Sequence, residues 1–197
     1  VGQPSTVFYT YQQVYDKNGQ PIEGEFVDRD GNGVINSDDR YFYKKADPDV
    51  LMGFTSKLIY KNWDFSFSLR ASLGNYNYNA VECSNSNLSP SNIYSGSTWH
   101  NVLDIARPKN WQQVSSTDAL SDYFIQNASY LKCDNITLGY SFDKIGKLPL
   151  GGRIYFTAQN VFTVTKYKGL DPEVNGGYDS NIYPRPFMGI LGVNLNF

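Results

Sequence analysis

The chain has 197 residues, of which 16% are aromatic and only 18% charged, and it is rich in Gly, Asn and Ser. That is a composition of strands and turns rather than of helices. A formal charge of −2 and a pI near 5.3 give no cationic surface for a polyphosphate, which excludes nucleic acid as a partner. No run approaches the roughly 18 apolar residues of a spanning helix, so a membrane could be crossed only by a β-barrel.

Read in chain order for period two, the first strand is expected over Ser5–Tyr15, where Val7, Tyr9 and Tyr11 are in phase. The acidic run VDRDGNGVINSDD follows. Counting Asp28 as first, Asp30, Asn32, the Val34 carbonyl, Asn36 and Asp39 fall at positions three, five, seven, nine and twelve, with Gly33 sixth. This is the ligand spacing of an EF-hand-type Ca2+ loop, in which glycine allows the sharp turn that wraps oxygens round the ion. Asp in place of Glu at twelve shortens the reach for bidentate ligation, and no flanking amphipathic helix is evident, so the expected role is structural. The competing reading is a polar turn in which Asp and Asn cap their own backbone.

Two further strands are expected over Leu51–Tyr60 and Trp63–Leu73. The second is the cleanest in the chain, with Phe65, Phe67, Leu69, Ala71 and Leu73 against Asp64, Ser66, Ser68, Arg70 and Ser72. The long stretch Gly74–Ala128 then carries Tyr76, Tyr78, Trp99 and Trp111. Their faces could stack on the apolar C–H surfaces of sugar rings, or they could form a small core of the loop's own. It also holds His100, the only histidine. Without a second histidine, a nucleophile turn or paired carboxylates, no catalytic constellation assembles, and an enzyme is not expected. Three more strands are expected over Ser129–Phe142, Gly152–Val164 and Phe187–Phe197. Cys83 and Cys133 have neither zinc nor redox spacing, and either one disulfide or two free thiols is compatible with them.

With these boundaries the connections alternate between long (16–50, 74–128 and 165–185) and short (61–62 and 143–151). Outer-membrane barrels have this pattern, with short periplasmic turns and long extracellular loops. Tyr60, Trp63 and Tyr140 near strand ends suit an interfacial girdle. Six strands cannot close such a barrel, and an open sheet in lipid would leave unpaired edges. The fold expected is therefore all-β: antiparallel up-and-down strands forming the C-terminal wall of a larger barrel. The start VGQPSTVF has no signal-peptide features, as expected of a processed chain or a piece of a longer one.

Four stretches carry a family resemblance: the opening VGQP, the run DRDGNGVINSDD, YFIQNASYLKCDNITLGYSF from Tyr123 to Phe142, and AQNVFTVTKYKGLDPEV through YPRPFMGILGVNLNF. The chain resembles the C-terminal end of the SusC/RagA family, TonB-dependent outer-membrane transporters of Bacteroidetes. PKNWQQV follows the family pattern only loosely. The resemblance implies a barrel of about 22 strands, with plug and TonB box upstream. It further implies import of glycans, or of peptides in the RagA type, together with a SusD-like surface lipoprotein. Phe197, ending an alternating strand, would be the signal read by the barrel-assembly machinery. Lys166, Lys168, Asp171 and Glu173 form a solvated loop or a SusD contact. The rivals are a secreted, calcium-dependent glycan-binding β-sandwich, whose apolar faces would turn inward, and a passive porin wall.

Overall fold

The computed structural model describes residues 2–86, 88–101, 114–144, 150–180 and 183–196. In chain order its strands are Val7–Thr10 (β1), Gln13–Tyr15 (β2), Pro21–Phe26 (β3), Tyr41–Lys45 (β4), Val50–Tyr60 (β5), Trp63–Leu73 (β6), Tyr76–Asn79 (β7), Tyr94–Ser95 (β8), Thr98–Trp99 (β9), Ile125–Asn127 (β10), Tyr130–Phe142 (β11), Gly151–Thr165 (β12), Tyr178–Asp179 (β13) and Met188–Asn196 (β14). No helix among the described residues is long and apolar enough to cross a membrane. The chain divides into two units. One comprises residues 48–74, 129–166 and 184–197, and the other residues 1–47, 75–128 and 167–183.

The first unit is a single antiparallel sheet in the order β14-β12-β11-β6-β5. Directly opposed residues share a face, so the registers define rows. Leu58, Phe65, Leu138, Phe156 and Leu191 form one row, and Tyr60, Trp63, Tyr140, Ile154 and Val193 the next. These apolar rows are not folded onto a partner. Leu58, Leu138, Phe156 and Leu191 are 61%, 46%, 48% and 74% exposed. A β-sandwich would have closed such stripes over each other. An exposed stripe on long strands is what a barrel turns toward acyl chains.

The opposite face is polar and tied by side chains. Arg153 Nη2 and Nε meet the Asp64 carboxylate at 2.6 and 2.8 Å, Arg70 pairs with Asp134, and Thr137 and Thr157 share a hydrogen bond of 2.8 Å. Gly139 gives this pair its room. A Cβ at that position would lie 2.5 Å from both Arg153 Nη2 and Asp64 Oδ1, so any larger residue would push the ion pair aside. Both neighbouring ladders skip Asp134, leaving it unpaired in a bulge. The bulge aims its carboxylate at Arg70 and shifts the apolar phase from Leu131 and Cys133 to Ile136, Leu138 and Tyr140.

Five of the six expected wall strands are present, within one residue at most ends. The sixth is corrected. Ser5–Tyr15 is broken into β1 and β2, β1 pairs with β4 and β2 with β3, and neither joins the large sheet. β1 has four residues, too few to span, and a membrane strand needs about 9 to 11. The alternation of Val7, Tyr9 and Tyr11 is used within the loop unit instead, where Tyr11 is buried against Phe26.

The second unit is built from the connections. It contains the pairs β1-β4 and β2-β3, the hairpin β8-β9, and a sheet in the order β10-β7-β13. Its apolar core is small: Phe124 and Cys83 are buried, with Tyr78, Val114, Ala119 and Tyr123 packed around them. Buried polar groups supply the rest. Gln13 accepts a hydrogen bond from Ser121 Oγ at 2.6 Å and donates to the Ile22 carbonyl at 2.7 Å. Asp118 accepts from the Gly24 amide at 2.9 Å, and Glu82 from Tyr123 at 3.0 Å. Both cysteines are free thiols.

Candidate functional site

The acidic run folds as a compact loop between β3 and β4, and its local bonds explain its shape. The Asp28 carboxylate accepts from the amides of Gly31 at 2.7 Å and Gly33 at 2.8 Å, and both glycines have positive φ. A side chain at either would strain that turn. Asp39 is fully buried and accepts from the amides of Arg29 at 2.7 Å and Asn36 at 2.8 Å. The Asn36 amide is the main reason its carboxyl titrates below the usual range, while burial opposes that shift.

The consequence is that carboxylate oxygens of Asp28, Asp30 and Asp39 all lie within 4.8 Å of one another. Cationic compensation does not come from the neighbouring arginines. Arg29 is turned over the Tyr41 ring and bonds Gln12 Oε1 at 2.9 Å, and Arg40 lies over Tyr11. The other three predicted ligands lie in the same loop, where their oxygens accept local hydrogen bonds. Asn32 Oδ1 accepts from the Val34 amide, the Val34 carbonyl from Asn36 Nδ2 at 3.4 Å, and Asn36 Oδ1 from the Asp38 amide, capping a short 3-10 turn. A carbonyl oxygen has a second lone pair, so these bonds leave each of them able to ligate. The structure groups the three carboxylates, and oxygen ligands of this kind suit a hard divalent cation.

The four loop aromatics have different surroundings. Tyr76 stands edge-on to Tyr43, with Lys44 Nζ 5.3 Å from its ring. Tyr78 is packed in the small core and donates a hydrogen bond of 2.7 Å to the Ala119 carbonyl. Trp99 is 79% exposed and tilted against Tyr94 across the hairpin β8-β9. Trp111 and Phe197 lie outside the described residues. Lys168 donates through its amide to Gln126 Oε1 at 3.3 Å, and Asp171 is buried, accepting from the Glu173 amide at 2.9 Å.

Two features escape the sequence reading. Tyr178 stacks on Tyr78 with ring planes 8° apart and centroids at 5.3 Å, although a hundred residues separate them in sequence. Asp122 is held among tyrosines, accepting from Tyr41 Oη at 2.7 Å and from the Gln13 amide at 3.1 Å. Burial raises its pKa, and the Tyr15 hydroxyl is pushed up to about 12 by burial and then by the Asp122 charge.

No family model matches the chain. Among individual proteins, it is 53% identical over its whole length to the TonB-dependent receptor SusC of Bacteroides thetaiotaomicron, covering 20% of that protein. A TonB-dependent receptor of Formosa agariphila is 29% identical over 96% of the chain and is covered to 22%. Among solved structures, the RagAB peptide transporter superposes over 100% of the chain with a TM-score of 0.72 at 23% identity, and 23% of the transporter chain is covered. The RagAB peptide importer in a closed-closed state gives 0.67 over 98% of the chain at 22% identity. The chain thus spans about a fifth of the length of the relatives it matches.

Proposed function

Because the chain belongs, over the segment it spans, to the SusC-like TonB-dependent receptors of the outer membrane, we propose that it supplies the C-terminal wall and three outer loops of an importer of oligosaccharides. The observation that carries this is the exposed apolar face of the five-stranded sheet. The remaining wall, the plug and the TonB box belong to the rest of the receptor, and a SusD-like lipoprotein covers the loops. The named relatives are receptors and transporters, in keeping with a protein that moves its ligand rather than transforming it.

The glycan reading is supported by aromatic rings left exposed in the loop unit, Trp99 and Tyr178 among them. The peptide alternative is favoured by the RagAB neighbours, which are peptide transporters at much lower identity than SusC. Uptake of labelled neutral oligosaccharides and of peptides by cells carrying the full-length receptor separates the two. Oligosaccharide uptake that stops on collapse of the proton gradient is the expected result. Uptake indifferent to the gradient would show a passive pore, and peptide uptake alone would show the other cargo.

The acidic loop is proposed to hold Ca2+ through Asp28, Asp30, Asn32, the Val34 carbonyl, Asn36 and Asp39, as a structural ion that offsets three clustered carboxylates. Elemental analysis of the full-length receptor should find the metal, and Asp28→Asn with Asp30→Asn should remove it. Chelation should expose residues 28–39 to protease while leaving the wall intact. An unchanged cleavage pattern and no bound divalent ion would defeat the proposal. Phe197 is proposed as the assembly signal, so its deletion should lower the amount in the membrane without altering ligand affinity.

A further inference from the structure

Within the loop unit, a cavity of about 440 Å³ opens between β1 and the sheet β10-β7-β13, a size within the range of about 300–1,000 Å³ common for small-ligand sites. Pairing explains its aromatic wall. Tyr78 of β7 is matched by Ile125 on the antiparallel side and by Tyr178 on the parallel side, so the three stand in one row, facing Phe8 and Tyr9 of β1 across the cavity. Tyr78 is fixed by its hydrogen bond to Ala119 and by the edge of Phe124. Tyr178 stacks on that fixed ring and is still 59% exposed. The result is a flat, pre-positioned aromatic surface that loses little side-chain freedom when something packs on it.

Tyr178 also borders a second cavity of about 250 Å³, whose lining is of a different character: Ser84, Asn85 and Ser180 beside Ala80 and Val81. Among the described residues, no charged side chain lines either cavity. An aromatic face next to hydroxyls and an amide, without charge, suits a neutral molecule with apolar ring faces and a hydroxylated edge. Two cavities sharing one tyrosine suit an oligomer of such rings. An anionic sugar or a peptide terminus would meet no counter-charge from these described lining residues, at a cost in desolvation.

We infer that Tyr178 is the shared stacking residue of a two-part site for a neutral oligosaccharide, with one sugar ring in the aromatic cavity and the next in the polar one. The inference rests on the glycan reading above and goes beyond it by naming the site. The test is calorimetric titration of the detergent-solubilised full-length receptor with maltohexaose, cellohexaose, laminarihexaose and mannohexaose, with an oligogalacturonate and an uncharged apolar hexapeptide as contrasts. A neutral hexaose should bind. Tyr178→Ala should weaken it about tenfold, the loss of one stacked ring, and Tyr178→Phe should stay within about threefold. Tyr183→Ala, which removes an exposed tyrosine outside both cavities, should change nothing. Should Tyr178→Ala not reach the membrane, Asn85→Ala, at an exposed position on the polar cavity, gives the same reading with a smaller drop. Unchanged affinity in these variants, or preference for the oligogalacturonate or the peptide, overturns the site. Energised uptake separates the two levels. If the wild type imports a hexaose and Tyr178→Ala does so with the same half-saturation, the site fails and the glycan reading stands. If no hexaose is imported, the glycan reading fails with it.

Discussion

The wall sheet and the loop unit both tie their backbone into hydrogen-bonded strands, with opposite uses of apolar side chains. In the wall the large hydrophobics sit on one face and stay exposed, and the ladders of five long strands hold the unit together. In the loop unit the strands are short, the apolar core centres on Phe124, and buried Gln13, Glu82 and Asp118 with half-buried Asp122 take the part that packing takes elsewhere. The difference teaches where the environment enters. A strand meeting lipid need satisfy only its neighbours and the solvent on each face. A loop in water has to manufacture its own interior, and with few apolar residues to spare it does so through hydrogen bonds, which hold only while every partner is in place.

The sharpest way to break this contrast is to move a charge by one residue in the wall. Phe156 lies in an exposed apolar row and Thr157 on the polar face. Phe156→Lys should cost about 2–4 kcal/mol if its row lies near the bilayer midplane, and outer-membrane yield of the full-length receptor should collapse. Thr157→Lys should be recovered near the wild-type level. Equal yields would mean that the apolar face does not meet lipid. The corresponding change in the loop unit is Phe124→Ala, which empties the centre of the small core and should cost about 3–5 kcal/mol locally. Because that loss falls on the loop unit, limited proteolysis should cut residues 75–128 faster while heat-modifiable migration of the barrel is retained. Unaltered cleavage would show that the loops are ordered by something other than this core.

What the sequence made legible follows the same division. Wall strands repeat every two residues because one face is uniformly apolar, so Trp63–Leu73 reads to the residue. The bulge at Asp134, which shifts the apolar phase from Leu131 and Cys133 to Ile136 and Leu138, was passed over by the period-two reading. Alternation alone misassigned Ser5–Tyr15, since a short strand folding on a loop core shows the same period as one facing lipid. The carboxylate cluster was visible because Asp28, Asp30 and Asp39 fall within one twelve-residue stretch of the chain. Tyr178 was not, because its partner Tyr78 is reached only through a parallel pairing that no local pattern specifies.

The smallest effect concerns Asp122, and it tests whether the hydrogen-bonded interior behaves as described. Its carboxyl is raised mainly by burial, against the lowering pull of Tyr41 and the Gln13 amide. A raised pKa means that the folded state binds the proton more tightly than the unfolded chain does. The loop is therefore favoured below the ordinary carboxylate value, and that advantage is lost as pH rises through the raised one. Above that window the ionised group is held by its two donors, the Tyr41 hydroxyl and the Gln13 amide. Hydrogen exchange at the Gln13 amide, corrected for its intrinsic pH dependence, should show weaker protection as pH crosses the window upward, and Asp122→Asn should flatten the profile. Tyr41→Phe removes one donor to the ionised form and should steepen it. A profile identical in all three proteins would mean that this carboxylate is not part of what orders the loop.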